Sequence, residues 1–104
     1  MTASDIIILT GVSGVGKSTL AARLAADLKA SFIEADDHHL PSSIAKMAKG
    51  IPLGDADRWP WLEAVAAAAN AAAAGGVAVI ACSALKRIYR DHLAEGCVTP
   101  PIFI

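Results

Sequence analysis

The sequence predicts an α/β fold built on a mostly parallel sheet. Three observations lead there. Short apolar runs rich in β-branched residues recur along the chain, segments of helical period separate them, and a glycine-rich turn joins the first run to the first helix. A strand buried on both faces of a parallel sheet loses the alternation of a half-exposed strand and reads as an unbroken apolar run.

Ile6-Ile7-Ile8-Leu9-Thr10 is such a run. In residues 17–29, Leu20, Ala21, Leu24, Ala25 and Leu28 fall at helical spacing while Arg23, Asp27 and Lys29 fall elsewhere, which predicts an amphipathic helix. Ser31-Phe32-Ile33-Glu34 predicts a second short strand, and the polar run at 35–39 marks its exit as a place where a site gathers. Residues 42–49 predict a short helix with Ile44, Met47 and Ala48 facing inward, closed by Gly50 and Pro52. The carboxylates of Asp55 and Asp57 suit an N-cap and Pro60 suits a first turn, so the next helix is expected over 59–74. Gly75-Gly76 ends it. Residues 77–82 are the third buried strand, 83–95 a helical segment with polar Lys86, Arg87, Arg90 and Asp91, and Pro100-Pro101-Ile102-Phe103-Ile104 opens a fourth strand.

At 104 residues the chain is expected to hold one domain, 1–104, with a modest core. The hydrophobic fraction of 55% owes much of its excess to alanine, which is only weakly hydrophobic and favours helix. A formal net charge of −1 offers no basic field for nucleic acid, and no acidic run suggests disorder. Residues 1–5 carry no positive charge ahead of the apolar run, unlike a signal peptide, so a cytoplasmic protein is expected. Residues 64–82 lack charge and approach the length of a membrane span, but Asn70 and Gly75-Gly76 interrupt them, and a helix followed by a buried strand explains the stretch. Cys82 and Cys97 are too few for a zinc cluster and are expected as free thiols, with Cys82 buried at a strand end. The chain breaks off inside its fourth strand, so it reads as the N-terminal portion of a domain whose remaining elements are absent.

Gly11-Val12-Ser13-Gly14-Val15-Gly16-Lys17-Ser18 fits G-x-x-x-x-G-K-[ST] at every fixed position, and Thr19 follows. A buried strand precedes this run and an amphipathic helix follows it, which is the context a phosphate loop requires. Its glycines let backbone N–H groups turn inward around phosphate oxygens. Lys17 supplies a mobile cation for the β- and γ-phosphates, Ser18 a hydroxyl for Mg²⁺, and the helix its positive N-terminal end. The fold expected is therefore a P-loop nucleoside-triphosphate hydrolase-like three-layer sandwich, with ATP and Mg²⁺ as cofactors. Gly11, Ser13, Gly14, Val15, Gly16, Lys17, Ser18 and Thr19 are its nucleotide-binding residues.

A GTPase would carry N-K-x-D and D-x-x-G, and the sequence has neither. The third strand runs into Ser83 with no acid of the kind that motor and transport ATPases place there. Both absences point to small-molecule kinases, in which a substrate hydroxyl attacks the γ-phosphate. Asp36-Asp37-His38-His39, the stretch from Ile44 through Lys46-Met47 to Pro52-Leu53, Asp55-Ala56-Asp57-Arg58-Trp59-Pro60-Trp61-Leu62, and Cys82-Ser83-Ala84-Leu85-Lys86 with Tyr89-Arg90-Asp91 resemble the gluconokinase family. The blocks stand in the family's order and cover nearly the whole chain. Ala35, Leu40 and Ser43 depart from it, where the family usually has glycine, proline and asparagine.

The resemblance implies ATP-dependent phosphorylation of D-gluconate to 6-phosphogluconate, with gluconate as partner, no nucleic acid or membrane, and a homodimer left open. Asp36 is the expected catalytic partner of Lys17, either orienting the attacking hydroxyl or supporting Mg²⁺ alongside Ser18. His39, Lys46, Arg58 and Lys86 are the candidates to bind the sugar acid. Trp59 and Trp61 are expected to pack rather than to bind. The alternatives are a nucleotide-binding module without turnover, and a related kinase acting on shikimate or a nucleoside monophosphate.

Overall fold

The computed structural model of the chain describes residues 6–10, 16–83 and 86–104. In chain order these form β1 (Ile6–Thr10), α1 (Lys17–Leu28), β2 (Ser31–Glu34), a 3-10 turn (Ala35–His38), α2 (Pro41–Ala48), α3 (Asp55–Ala73), β3 (Ala78–Cys82), α4 (Arg87–Gly96) and β4 (Ile102–Phe103). The strands make one parallel sheet in the order β2-β3-β1-β4. Beyond β4, the Ile104 N–H donates to the Ile8 carbonyl at 2.9 Å and the Thr10 N–H to the Ile104 carbonyl at 3.0 Å, so the ladder runs on along β1.

β3 explains the layering. All five of its residues are buried. Ala78, Ile80 and Cys82 join a core with Ile6, Ile8, Trp61, Leu62, Val65 and Leu93, on the face covered by α3 and α4. Val79 and Ala81 join Leu9, Ala21 and Ala25 on the opposite face, covered by α1. Successive strand side chains point to opposite faces, so a strand between two helical layers must be apolar throughout. The expected three-layer α/β sandwich is thus observed.

Small residues set how closely the layers approach. α1 lays Ala21 and Ala25 against the sheet, leaving Leu20 60% exposed and Leu28 exposed, so the buried stripe is narrower than the helical period predicted. α3 and α4 meet where a Cβ on Gly96 would lie 2.8 Å from the Ala66 Cβ. Asn70 holds the same corner, donating to the Gly96 carbonyl at 2.8 Å and accepting from the Val98 N–H at 2.9 Å. Asn70, read in the sequence as a break in an apolar stretch, guides the chain out of α4 toward β4. Among the described residues no helix is long and apolar enough to cross a membrane.

Three element readings need correction. α3 begins at Asp55, four residues before the expected start, with Pro60 inside it. The Asp57 carboxylate accepts from the Gly54 N–H at 3.0 Å, an acid at the third helical position reaching back to its cap. Pro60 withholds one bond from the Ala56 carbonyl in the second turn, a smaller disruption than in mid-helix. In α2, Ile44 is 53% exposed and Met47 and Ala48 are also exposed, whereas Ser43 is buried. Helical period identifies a face without saying which body covers it. α4 begins at Arg87, later than expected, with Lys86 as its N-cap. Cys82 and Cys97 are free thiols as expected, Cys82 fully buried at the end of β3.

Candidate functional site

Because all strands are parallel, their carboxyl ends share one edge. From β1 the chain passes through α1 to β2 on one side, and from β3 through α4 to β4 on the other. Connections that leave neighbouring strands in opposite directions open a crevice at those carboxyl ends, where open α/β sheets take their ligands.

Of the phosphate loop, Gly11, Ser13, Gly14 and Val15 lie outside the described residues. Gly16 caps α1 with φ 79°, a left-handed conformation that a side chain would strain. Lys17 opens the helix and is buried, 8% exposed. Ser18 and Thr19 follow in the first turn, both exposed. The Ser18 hydroxyl donates to Glu34 Oε1, tying the start of α1 to the end of β2. The other oxygen of Glu34 faces the Asp36 N–H at 3.5 Å, a long contact at the head of the 3-10 turn.

Beside this edge lies a cavity of about 540 Å³, lined among others by Asp36, His39, Arg58, Met47, Leu53 and Ser83. Two of its polar atoms, His39 Nδ1 and Arg58 Nε, are buried without a hydrogen-bond partner. Buried polar atoms are ordinarily satisfied, so such a pair on one cavity wall invites a ligand with oxygens. Burial chiefly pushes the His39 pKa down, Asp36 opposes this, and Arg58 adds to it. His39 is thereby held toward the neutral imidazole, a group able to donate and to accept.

Lys46 and Lys86 stand differently. Lys46 Nζ contacts both carboxylate oxygens of Asp57 at 2.8 and 3.0 Å, and Lys86 Nζ lies 3.6 Å from Asp55. The Tyr89 hydroxyl donates to the same Asp55 oxygen, and the Arg58 guanidinium sits 5.2 Å from the centre of the Tyr89 ring. Asp36, His39 and Arg58 therefore line one cavity, while Lys46 and Lys86 are ion-paired to carboxylates of α3.

Residues 6–94 match the AAA domain family. The chain belongs to that family. It is 44% identical over 100 residues to a "Probable gluconokinase" of Saccharomyces cerevisiae, covering 88% of this chain and 52% of that protein. It is 50% identical over 92 residues to the thermoresistant gluconokinase of Escherichia coli, covering 88% and 53%. The crystal structure of a sugar kinase from a Janibacter species superposes with a TM-score of 0.84 at 47% identity, covering 97% of this chain and 58% of that one. The chain spans about half the length of the curated relatives it matches. The resemblance to gluconokinases read from the sequence blocks is matched by these relatives.

Sequence reasoning about this AAA domain missed Glu34, Ser83 and the role of Trp61. The acid that meets Ser18 is Glu34, which closes β2, and not a residue at the end of β3. Ser83, which stands after β3 where motor and transport ATPases place an acid, lines the cavity. Trp59 packs as expected, edge-on to Tyr89 at 5.6 Å and tilted against His92 at 4.9 Å. Trp61 is fully buried, but it also stacks on His39 at 4.4 Å. Among the described residues no group of three or more His, Cys, Asp or Glu could hold a metal ion by itself.

Proposed function

We propose that this chain supplies the ATP and acceptor sites of a gluconokinase, which transfers the γ-phosphoryl group of ATP to the 6-hydroxyl of D-gluconate. The observation that carries the reading is the juxtaposition of the His39 and Arg58 orphan atoms with Asp36 in one cavity at the strand ends, where Glu34 links the Asp36 N–H to the Ser18 hydroxyl at the start of α1. The names of the relatives favour gluconate over shikimate or a nucleoside monophosphate.

The donor set suits Mg²⁺. The Ser18 hydroxyl and Glu34 carboxylate are adjacent hard oxygens, and Mg²⁺ is usually held by one or two protein oxygens together with phosphates and water. When bound there, the ion neutralises charge on the β- and γ-phosphates. Lys17, at the start of α1, brings a cation to the same oxygens. Gly16 and its loop supply backbone donors. Asp36 orients the attacking hydroxyl or supports the metal through water. Arg58 pairs with the acceptor's carboxylate, and neutral His39 hydrogen-bonds its hydroxyls. Lys46 and Lys86 act at one remove, holding Asp57 and Asp55 in the first turn of α3. Catalysis is then positioning plus charge neutralisation.

The test is a coupled assay with Mg·ATP on the complete protein, offering D-gluconate, glucose, shikimate and nucleoside monophosphates in parallel. Turnover of gluconate at least about a hundredfold above glucose, which lacks the carboxylate, is expected from loss of the charge-assisted pair with Arg58. Equal rates on the two sugars would overturn the reading.

A further inference from the structure

Two features of the acceptor cavity trace back to one side chain that does not itself line it. Trp61 sits in α3, one helical turn after Arg58, so both residues share a face of that helix. Its Nε1–H donates to the Ala35 carbonyl at 2.7 Å, across 26 residues of chain. Ala35 is fully buried and opens the 3-10 turn that carries Asp36. The face of the indole lies against the His39 imidazole, centroids 4.4 Å apart and planes 15° from parallel.

We infer that Trp61 is a positioning residue for the acceptor, fixing with one indole both the turn that presents Asp36 and the ring plane of His39. The inference rests on the proposed function for what the acceptor is, and on geometry for the rest. A hydrogen bond to imidazole lies in the ring plane, so the plane decides where Nδ1 points. A stacked indole leaves the imidazole little freedom to rotate out of that plane. The Ala35 carbonyl, buried and bonded to the indole, cannot turn without losing that bond, so the peptide leading to Asp36 is held as well. Arg58, His39 and Asp36 are thus registered to one another through α3, although His39 and Asp36 are distant from Arg58 in sequence. A purely structural tryptophan would fill space; this one is joined by direction-specific contacts to two different cavity residues.

Two substitutions separate the contacts in the complete protein. Trp61→Phe keeps an aromatic face and loses the N–H, and Trp61→Leu loses both. The imidazole signals of His39, assigned by their disappearance in His39→Gln, are expected to be displaced by the indole ring current in the wild type. They should be partly displaced in Trp61→Phe and return to ordinary positions in Trp61→Leu. In kinetics, KM for the acceptor is expected to rise about tenfold in Trp61→Phe and further in Trp61→Leu, with KM for ATP within about twofold of wild type. A structural role would lower melting temperature and active fraction without separating the two KM values. Unchanged acceptor KM in Trp61→Phe, or His39 signals indifferent to Trp61→Leu, overturns the inference. If the wild type does not phosphorylate gluconate, the proposed function fails by itself. The His39 signals then decide the positioning role: movement in Trp61→Leu supports it and indifference refutes it.

Discussion

The Tyr89 hydroxyl donates a hydrogen bond to Asp55 Oδ1, joining the first turn of α4 to the first turn of α3. That bond is the main reason the Asp55 carboxyl is held below its ordinary range, with Lys86 and Arg58 contributing. Arg58 and Lys86 both lie near the Tyr89 ring, at 5.2 and 5.4 Å from its centre. Tyr89→Phe keeps the ring and removes the donor. It is expected to raise acceptor KM about three- to tenfold, the range a single net hydrogen bond covers, with KM for ATP unchanged. Steady-state kinetics with each substrate varied in turn checks this.

Lys17→Ala removes the cation at the start of α1. It is expected to lower kcat/KM by a factor corresponding to about 2–4 kcal/mol of transition-state stabilisation. Titration of wild type and variant with Mg·ATP, followed by turnover at saturating gluconate, measures the loss. Equal activity would contradict the role given to Lys17.

Glu34 and Asp36 are two residues apart and are expected to fail differently. Glu34→Gln weakens the oxygen set beside Ser18 and should raise the Mg²⁺ concentration for half-maximal rate about tenfold. Asp36→Asn should depress kcat far more than it alters ATP affinity. Magnesium titrations of both variants distinguish them, and identical curves would show that one role has been divided wrongly.

Gly96→Ala places a methyl group against the Ala66 Cβ at the contact between α3 and α4. The overlap is expected to destabilise the fold by about 1–3 kcal/mol, as overpacking does in closely packed cores. Adding Ala66→Gly should recover part of that loss. Chemical denaturation of both variants reads the coupling, which is absent if the helices simply separate.

The acid limb of stability should have two parts. Lys46, bonded to Asp57, is the main cause holding that carboxyl below its ordinary value of 3.8, so the folded state binds a proton less readily there than the unfolded chain. The stability this contributes is present above pH 3.8 and is lost as the pH falls through the lowered folded value. Asp57→Asn should flatten that step. His39 is also depressed, from 6.5, chiefly by burial. As a base kept neutral in the fold, it makes the protein less stable as acid protonates the unfolded chain below about pH 6.5. His39→Gln should remove this earlier step and leave the later one, as followed by denaturation at successive pH values.

How much of this was legible beforehand depends on the range of each interaction. β1 and β3 are readable because strands inside a sheet covered on both faces must be apolar regardless of neighbours, whereas β2, an edge strand with no fully buried residue, is legible only from its short Phe32-Ile33 run. The start of α3 is not legible from Pro60, which suits a first turn but stands in the second, because the cap lies at Gly54 and is closed by Asp57. The inward face of α2 was misread because period says which residues share a side and nothing about what lies against it.

By itself the sequence determined the α/β class, the order of strands and helices along the chain, and the phosphate-loop motif. Each of these is written in contiguous residues, through local propensity, period and spacing. The tertiary structure decided the rest: that Ser18 meets Glu34, that Lys46 and Lys86 are ion-paired to α3, and that Trp61 lies beneath His39 while bonded to Ala35. Those relations join residues from 11 to 31 positions apart, and only the packing of helices onto a parallel sheet brings them within reach. A side chain's chemistry is local to its own atoms, but its partner is chosen by the fold, and partnership decides whether a lysine holds a helix or a tryptophan orients a histidine.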